Sequence, residues 1–246
     1  MAHSILETLR AGKPSVGSWL NLGSPLAAEV MASVGYAWLA VDTEHTAYDM
    51  DLTVHTFRAI EARGAVPIAR AWDHSKETIS RLLDAGAWGL VFPHVSTPEQ
   101  AEFLAKAMRY PPQGTRSIGT SRCRLYDPNY PEIANDQVLC IPQIEDMEGI
   151  ENAEAIASVD GIDIGFLGPG DLAMSMGVAP GHADHEAALQ RFREGCQRVG
   201  KPSGIPLGDG VSARQRIAEG FQFIDVSNDF RMLELMSKQM LDEALS

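Results

Sequence analysis

Residues 140–148 read Cys-Ile-Pro-Gln-Ile-Glu-Asp-Met-Glu, in which an apolar run passes into amide and acidic side chains. A short apolar run bounded by turn-forming residues is typical of a fully buried strand. We therefore predict a strand over 138–145 whose carboxyl end presents Gln143 and Glu145.

A second apolar run, 162–168, passes into the turn Gly168-Pro-Gly-Asp171. Carboxylates at the tips of two neighbouring strands can hold one divalent cation through oxygen atoms, and other coordination positions remain for water and substrate. Glu145 and Asp171 are therefore candidate metal ligands. Both can also cap the helices that follow them, and the pattern alone leaves that alternative open.

The composition indicates a globular chain with a large core. Its 246 residues are close to the ~250 typical of one (β/α)8 barrel, and 45% of them are apolar. The formal net charge is −13 and no basic run occurs. Nucleic acid and anionic membranes are therefore not expected as partners.

The sequence also predicts the compartment. Residues 1–17 lack the apolar core of a signal peptide, and no window approaches the roughly 18 apolar residues of a membrane span. Cys123, Cys140 and Cys196 are odd in number and widely spaced, which favours neither a disulfide framework nor a zinc site. We expect a cytoplasmic protein.

Apolar runs alternate with segments of helical periodicity along the whole chain. The predicted strands cover 16–22, 38–41, 66–70, 89–92, 138–145, 162–168, 203–207 and 221–226. Helical crossovers imply parallel pairing, and eight such units favour a closed barrel over an open sheet. We predict a single α/β domain, 1–246, folded as a (β/α)8 TIM barrel.

Two segments depart from this rhythm. Pro206 disfavours 203–207 as a central strand, because proline cannot donate to the ladder. The connection 110–136 is long and rich in proline, and we expect it to be functional or to lie at an interface.

In such barrels the active site lies at the C-terminal ends of the strands. Reading those ends along the chain gives a set of polar and titratable residues: Asp42, Glu44, His45, Arg70, His94, Gln143, Glu145, Gly170 and Asp171. Their convergence on one face predicts a catalytic site more specifically than any single member does.

Each residue also has a structural interpretation. His45 can be a surface residue, Arg70 can pair with Asp42 or Glu44, and Asp84 can form a local hydrogen bond at a helix end. We interpret three further histidines, in loops or at helix starts, as structural: His74, His182 and His185.

Most of the strand-tip residues, together with Asp84, lie in motifs that resemble those of the HpcH/HpaI aldolases, which are metal-dependent class II pyruvate aldolases. The motifs, in family order, are Val41-Asp-Thr-Glu-His45, Pro67-Ile-Ala-Arg70, Leu82-Leu-Asp-Ala-Gly86, Arg109-Tyr-Pro-Pro-Gln-Gly-Thr-Arg-Ser117, Gln143-Ile-Glu145 and Gly168-Pro-Gly-Asp171. They span nearly the whole chain. The resemblance implies a phosphoenolpyruvate/pyruvate-type barrel and a Mg²⁺, Mn²⁺ or Co²⁺ cofactor.

The resemblance also implies a role for each site residue. Glu145 and Asp171 become the metal ligands, and His45 becomes the acid/base, with Asp84 raising its basicity. Arg70 stabilises the developing enolate. The remaining roles are binding of the pyruvate portion by Gln143, Gly168, Pro169 and Gly170, and support of the site by Asp42 and Glu44.

The implied reaction is reversible cleavage of a 4-hydroxy-2-oxo acid to pyruvate and an aldehyde through a metal-bound enolate. A Schiff base is not expected, because no lysine falls at a predicted strand tip. Two alternatives use similar chemistry, namely oxaloacetate decarboxylation and cleavage of a CoA thioester. A barrel that binds without catalysis is a third alternative, which the complete residue set disfavours.

The sequence departs from the family pattern at two positions, since His94 replaces an expected Met and Gly170 an expected Ala or Ser. Neither departure touches the core chemistry, but His94 can alter the aldehyde pocket or the proton path. The family further implies a homohexamer, a trimer of dimers with exchanged C-terminal helices, and the apolar segment 230–245 is compatible with it. We expect 117–130 to contribute to the aldehyde pocket, from the same or a neighbouring subunit.

Overall fold

The computed structural model describes residues 2–246 and, for residues 2 and 3, the backbone only. Within these residues eight parallel strands close into a barrel in sequence order. The strands are β1 (Ser15–Leu20), β2 (Trp38–Asp42), β3 (Val66–Arg70), β4 (Gly89–Phe92), β5 (Leu139–Ile144), β6 (Gly165–Leu167), β7 (Ser203–Leu207) and β8 (Phe223–Asn228). The predicted (β/α)8 barrel is confirmed.

Helices cover the outside of the barrel and join its strands. They are α1 (Ala2–Arg10), α2 (Pro25–Ser33), α3 (Met50–Glu61), α4 (Lys76–Ala85), α5 (Pro98–Met108), α6 (Tyr130–Gln137), α7 (Met147–Glu151), α8 (Ala153–Ser158), α9 (Pro169–Met176), α10 (Ala183–Arg198), α11 (Gly210–Glu219) and α12 (Asp229–Leu245). No helix within residues 2–246 combines the length and apolar character needed to cross a membrane.

Several helix starts follow directly from the sequence. Thr97 and Gln100 form a capping box at the start of α5, in which each side chain accepts a hydrogen bond from the other residue's backbone. Ser24 caps α2 and Ser75 caps α4 in the same position. Between β5 and β6 the chain forms two short helices, α7 and α8, which meet at Asn152.

The weak strand β7 forms despite its proline. It pairs with β6 only through Ser203 and Gly204, whereas its pairing with β8 continues to Leu207. Pro206 therefore lies beyond the end of the β6–β7 ladder. At this position β6 needs no backbone N–H donor from β7, so a proline is tolerated.

The connection 110–136 contains a short 3-10 helix, Arg122–Leu125, in addition to α6. It leads from the end of α5 to the start of β5, and thus lies at the N-terminal end of the barrel. Tyr126 donates to the carbonyl of Gly86 at 2.8 Å, and its ring lies 4.8 Å from that of Trp88. The segment 117–130 therefore does not line the strand tips of its own chain.

Aromatic rings fill the barrel interior below the strand tips. Phe223 stacks on Trp38 with 4.1 Å between ring centroids, and Phe166 meets Phe223 edge-on at 5.9 Å. Gly17 faces Trp38 across the β1–β2 ladder, and a Cβ there would lie 2.0 Å from the indole. The Trp38 ring thus requires glycine at position 17.

One carboxyl group is buried in this interior. Asp225 lies two residues beyond Phe223 on β8, so it shares the same face of the strand. It is 2% exposed, and in the described part of the chain its Oδ1 has no hydrogen-bond partner. Burial raises the pKa of Asp225 well above its usual range, and the N–H groups of Trp19 and the charge of Arg70 offset this only in part.

We predict that Asp225→Asn stabilises the protein increasingly as pH rises. The folded state keeps the proton to a higher pH than the unfolded chain does, so between the two pKa values unfolding is favoured by rising pH. The neutral amide removes this contribution. Thermal unfolding of both proteins from about pH 4 to 8 should show Tm values that diverge toward alkaline pH, and a constant difference would contradict the prediction.

Candidate active site

A cleft of about 220 Å³ lies at the C-terminal ends of the strands. Its lining residues are Trp19, Asn21, Asp42, Arg70, Gln143, Phe166, Gly168, Pro169, Gly170, Asp171, Pro206 and Asn228. A larger cavity of about 1010 Å³ lies at the other end of the barrel, around Arg109 and Lys201. The convergence of predicted polar residues, and not cavity size, therefore identifies the candidate site.

Glu145 directly follows β5 and is 4% exposed. Its Oε1 accepts a 2.7 Å hydrogen bond from the backbone N–H of His94, and its Oε2 accepts one of 2.6 Å from Nε2 of Gln143. Burial raises the pKa of Glu145, and these donors act in the opposite direction. Asp146 caps α7, so Glu145 does not have the capping role that the sequence left open.

Asp171 lies in the first turn of α9 and is exposed. The N-cap of α9 is Gly168, and within residues 2–246 no side chain caps this helix. The negative charge of Asp171 raises the pKa of Glu145, so the two carboxylates interact. Desolvation of one carboxylate beside another is unfavourable without a cation between them.

The amide of Gln143 supplies a further oxygen. Its nitrogen donates to Glu145, whereas its Oε1 is buried and has no hydrogen-bond partner among the described residues. A buried carbonyl oxygen without a donor is costly, and a hard cation or a ligand donor would satisfy it.

These residues fit a divalent cation that prefers oxygen ligands. Among the side chains of residues 4–246, no three from Asp, Glu, His or Cys are close enough together to hold a metal ion by themselves. Two carboxylates and one amide oxygen leave further coordination positions to water and substrate, as catalytic metal sites require.

Gly168 leaves the space that Glu145 occupies. A Cβ at this position would lie 2.4 Å from Oε2 of Glu145 and 3.0 Å from Nε2 of Gln143. Around Gly170, in contrast, the described residues leave open space for a side chain. The two glycines of this turn therefore have different roles.

Arg70 ends β3 and its guanidinium reaches the cleft. Its Nε and Nη2 donate to the two carboxylate oxygens of Asp42 at 2.9 and 2.6 Å. The guanidinium also lies 4.8 Å from the ring centroid of Trp19. The pairing with Asp42 that the sequence suggested is present, and it leaves Nη1 available for a ligand.

Asp42 also shapes the turn that follows β2. Its Oδ1 accepts the backbone N–H groups of Glu44 and His45, and its Oδ2 accepts the side-chain amide of Asn21. This pattern presents His45 at the rim, where its side chain is 63% exposed. Nε2 of His45 lies 3.5 Å from Oε2 of Glu44.

The structure does not bring Asp84 to His45 within one chain. Asp84 lies near the C-terminal end of α4, which leads into β4 at the N-terminal end of the barrel. Its carboxylate accepts a 2.8 Å hydrogen bond from Arg116 and lies 3.7 Å from Sγ of Cys123. Within one chain, Asp84 and His45 therefore lie at opposite ends of the barrel.

The three histidines interpreted as structural lie outside the cleft lining. Nε2 of His74 contacts the carbonyl of Pro93 at 2.7 Å, and Nε2 of His185 contacts that of Pro169 at 2.9 Å. His182 caps α10. His185 therefore supports the start of α9 from behind.

Sequence reasoning missed several cleft residues. Trp19, Asn21 and Asn228 line the cleft at the ends of β1 and β8, and none of them was predicted as a site residue. The sequence placed His94 at the tip of β4 but did not predict its contact with Glu145, whose Oε1 lies 2.9 Å from Nδ1 of His94. Both asparagines lie at the C-terminal ends of strands, so the position that predicted the other site residues also predicts these two.

We predict that Gly168→Ala weakens cation binding. The backbone φ of −102° accepts alanine, so the added Cβ acts by displacing Glu145. Titration with Mn²⁺ should show an affinity at least about tenfold lower than wild type. Gly208→Ala is the matched control, since a Cβ there meets no heavy atom of the described residues within 4 Å. An unchanged Gly168→Ala affinity would contradict the assigned packing.

Comparison with known proteins agrees with the motifs. A model of the family described as HpcH/HpaI aldolase/citrate lyase matches residues 15–233. The hydroxypyruvate/pyruvate aldolase of Rhizorhabdus wittichii is 37% identical over 238 residues, with 95% of each chain covered. The 4-hydroxy-2-oxo-heptane-1,7-dioate aldolase of Shigella sonnei is 34% identical, with 95% of this chain and 91% of the relative covered.

A solved structure has the same architecture. An HpcH/HpaI aldolase/citrate lyase family protein from Burkholderia cenocepacia superposes with a TM-score of 0.94 at 36% identity, covering 99% of both chains. The predicted family resemblance is thereby confirmed.

Proposed function

Because the chain belongs to the HpcH/HpaI aldolase/citrate lyase family, we propose that it is a divalent-metal-dependent carbon–carbon lyase. The proposed reaction is reversible cleavage of a 4-hydroxy-2-oxo acid to pyruvate and an aldehyde. Relatives at 34% and 37% identity are named as aldolases, which supports this reaction class. The observation with most weight is the grouping of Glu145, Gln143, Asp171 and Arg70 around one cleft.

Glu145 and Asp171 are proposed to hold the cation, which would be Mg²⁺, Mn²⁺ or Co²⁺. When bound, such an ion supplies Lewis-acid stabilisation of the negative oxygen that develops on the keto acid. The unpartnered Oε1 of Gln143 supports this assignment, because it adds an oxygen donor next to Glu145.

The pyruvate carboxylate is proposed to bind at the start of α9. The first backbone N–H groups of a helix have no partner within it, and they attract anions together with the helix dipole. Pro169 has no N–H, so the donors are those of Gly170 and Asp171. The cleft position of Gly168, Pro169 and Gly170 agrees with the role implied by the resemblance.

Arg70 is proposed to stabilise the enolate oxygen through its remaining donor, Nη1. Asp42 holds the guanidinium by two hydrogen bonds, so little reorganisation is needed as charge develops. His45 at the rim is proposed to remove the proton of the C4 hydroxyl during cleavage and to return it in synthesis. Its exposed position is suited to exchange of that proton with solvent.

The test uses the exchange of pyruvate methyl protons with deuterium, which needs the enolate but no aldehyde. The wild type should catalyse exchange with an added divalent cation and lose it on chelation. Glu145→Gln and Asp171→Asn should abolish exchange because they remove the cation's charge partners. Glu148→Gln, at an exposed residue three positions from Glu145, is the control and should be unaffected. Exchange that survives chelation would refute the proposal.

We further propose that the protein is a homo-oligomer in which α12 packs on a second copy. The carboxylate of Asp229 accepts the backbone N–H groups of Asn21 and Leu22, and Met232 packs against the core. Most other apolar side chains of α12 are exposed to solvent. Phe230, Leu233, Met236 and Met240 are each more than half exposed. An unpartnered apolar helix of 17 residues is unfavourable in water.

The same chain exposes a second apolar surface on α2 and its C-cap, formed by Leu26, Val30 and Val34. The presence of two exposed apolar surfaces on one chain supports a second copy of this chain as the partner that covers α12. The family resemblance suggests a hexamer built as a trimer of dimers. Since Asp84 lies at the wrong end of its own barrel, it can assist His45 only from a neighbouring subunit. The same holds for any contribution of 117–130 to the aldehyde pocket.

We predict that Leu233→Glu together with Met236→Glu lowers the molar mass in solution. Charges on this face prevent apolar packing between copies. Light scattering after size-exclusion chromatography should show a smaller assembly than wild type. Glu234→Gln, on the same helix, is the control and should leave the mass unchanged. A monomeric wild-type protein would contradict the packing of α12 on a second copy.

The chain's cysteines agree with the cytoplasmic location proposed from its sequence. Cys123, Cys140 and Cys196 are buried thiols. Such thiols persist in a reducing compartment.

A further inference from the structure

We propose that His94 is a positioning residue of the cation site, which holds Oε1 of Glu145 and thereby orients this carboxylate for cation binding. This inference rests on the proposed function, since it concerns the same cation. His94 departs from the family pattern, and the sequence did not connect it with the cation ligands.

The first observation is the backbone of His94. Its φ of 56° lies in the left-handed region, which is uncommon for residues other than glycine. In this conformation its N–H points to Oε1 of Glu145 at 2.7 Å. A costly local conformation persists where the surroundings require it, and functional sites are enriched in such residues.

The second observation is the side chain of the same residue. Nδ1 of His94 lies 2.9 Å from the oxygen that the backbone N–H contacts. One residue thus places two nitrogen atoms on Oε1 of Glu145, while Oε2 faces Gln143 and Gly168. The carboxylate is thereby fixed in rotation, although the imidazole itself is 67% exposed.

The third observation is what holds the imidazole from its other side. Nε2 of His94 lies 3.5 Å from Oε1 of Glu44, whose side chain is only 13% exposed. Glu44 is itself placed by its backbone bond to Asp42 and by Nε of Arg70 at 3.2 Å. The imidazole therefore lies between two carboxylates, and the bridge connects the β2 turn with the tip of β5.

This bridge should act on cation affinity. A carboxylate that is already oriented loses less conformational freedom when it binds an ion. Residues that orient metal ligands from outside the coordination shell typically change metal affinity by about 10- to 100-fold. The position of His94 thus predicts an effect of this size without any contact between His94 and the cation.

Three substitutions distinguish the contribution of Nδ1 from that of Nε2. His94→Asn places an amide N–H near the position of Nδ1, and asparagine tolerates a positive φ. His94→Gln places its amide near the position of Nε2, toward Glu44. His94→Met keeps the length of the side chain and removes both nitrogens.

The experiment is a titration of each purified protein with Mn²⁺ in the absence of substrate, followed by electron paramagnetic resonance of the free ion. We expect His94→Met and His94→Gln to lower the affinity at least about tenfold, and His94→Asn to stay within about threefold of wild type. Thermal unfolding of the metal-free proteins controls for damage to the fold.

Two outcomes would overturn the inference. One is a His94→Met variant that binds Mn²⁺ as tightly as wild type. The other is an equal loss in all three variants, which would show that Nδ1 has no specific role. Deuterium exchange into pyruvate by the wild type tests the proposed function separately, because it can succeed whatever the three variants show.

Discussion

The buried carboxylate of Glu145 is the group on which the rest of the site depends. A charge removed from water needs compensation from nearby donors or cations. Here the compensation comes from His94 and Gln143, which reach Glu145 from the tip of β4 and from β5. These contacts set the position of the carboxylate before any ligand arrives. They also explain why glycine is needed at 168, where a side chain would occupy the space of Oε2.

The packing of the barrel interior supports Arg70, on the other side of the cleft from Glu145. The stacked rings of Trp38 and Phe223 form its floor, and Phe166 links this floor to Trp19. Trp19 in turn lies against the guanidinium of Arg70. Packing of large rings below the cleft therefore limits the movement of Arg70. Asp42 completes this support through two hydrogen bonds, so the side chains of both Glu145 and Arg70 are held by neighbouring residues.

A single chain nevertheless holds only part of the proposed active site. Asp84 lies at the N-terminal end of the barrel, as does the connection 110–136, whereas His45 lies at the C-terminal end. Strands and helices that alternate in direction place the two ends of each helix on opposite faces of the barrel. The same chain leaves the apolar side of α12 exposed. Both features have one explanation if a neighbouring copy covers α12 and supplies the missing groups.

The sequence by itself determined the strand order, the barrel and the residues at the ends of the middle strands. These follow from local patterns, because apolar period and turn residues act within a few positions of the chain. The capping box of Thr97 and Gln100 is of the same kind. Only the tertiary structure decided which of these residues meet. The contact of His94 with Glu145 joins residues 51 positions apart, and it depends on a left-handed backbone that no local signal of a histidine predicts. The separation of Asp84 from His45 also could not be predicted from local patterns. It arises from the direction of α4 along the barrel and not from the spacing of the residues in the chain.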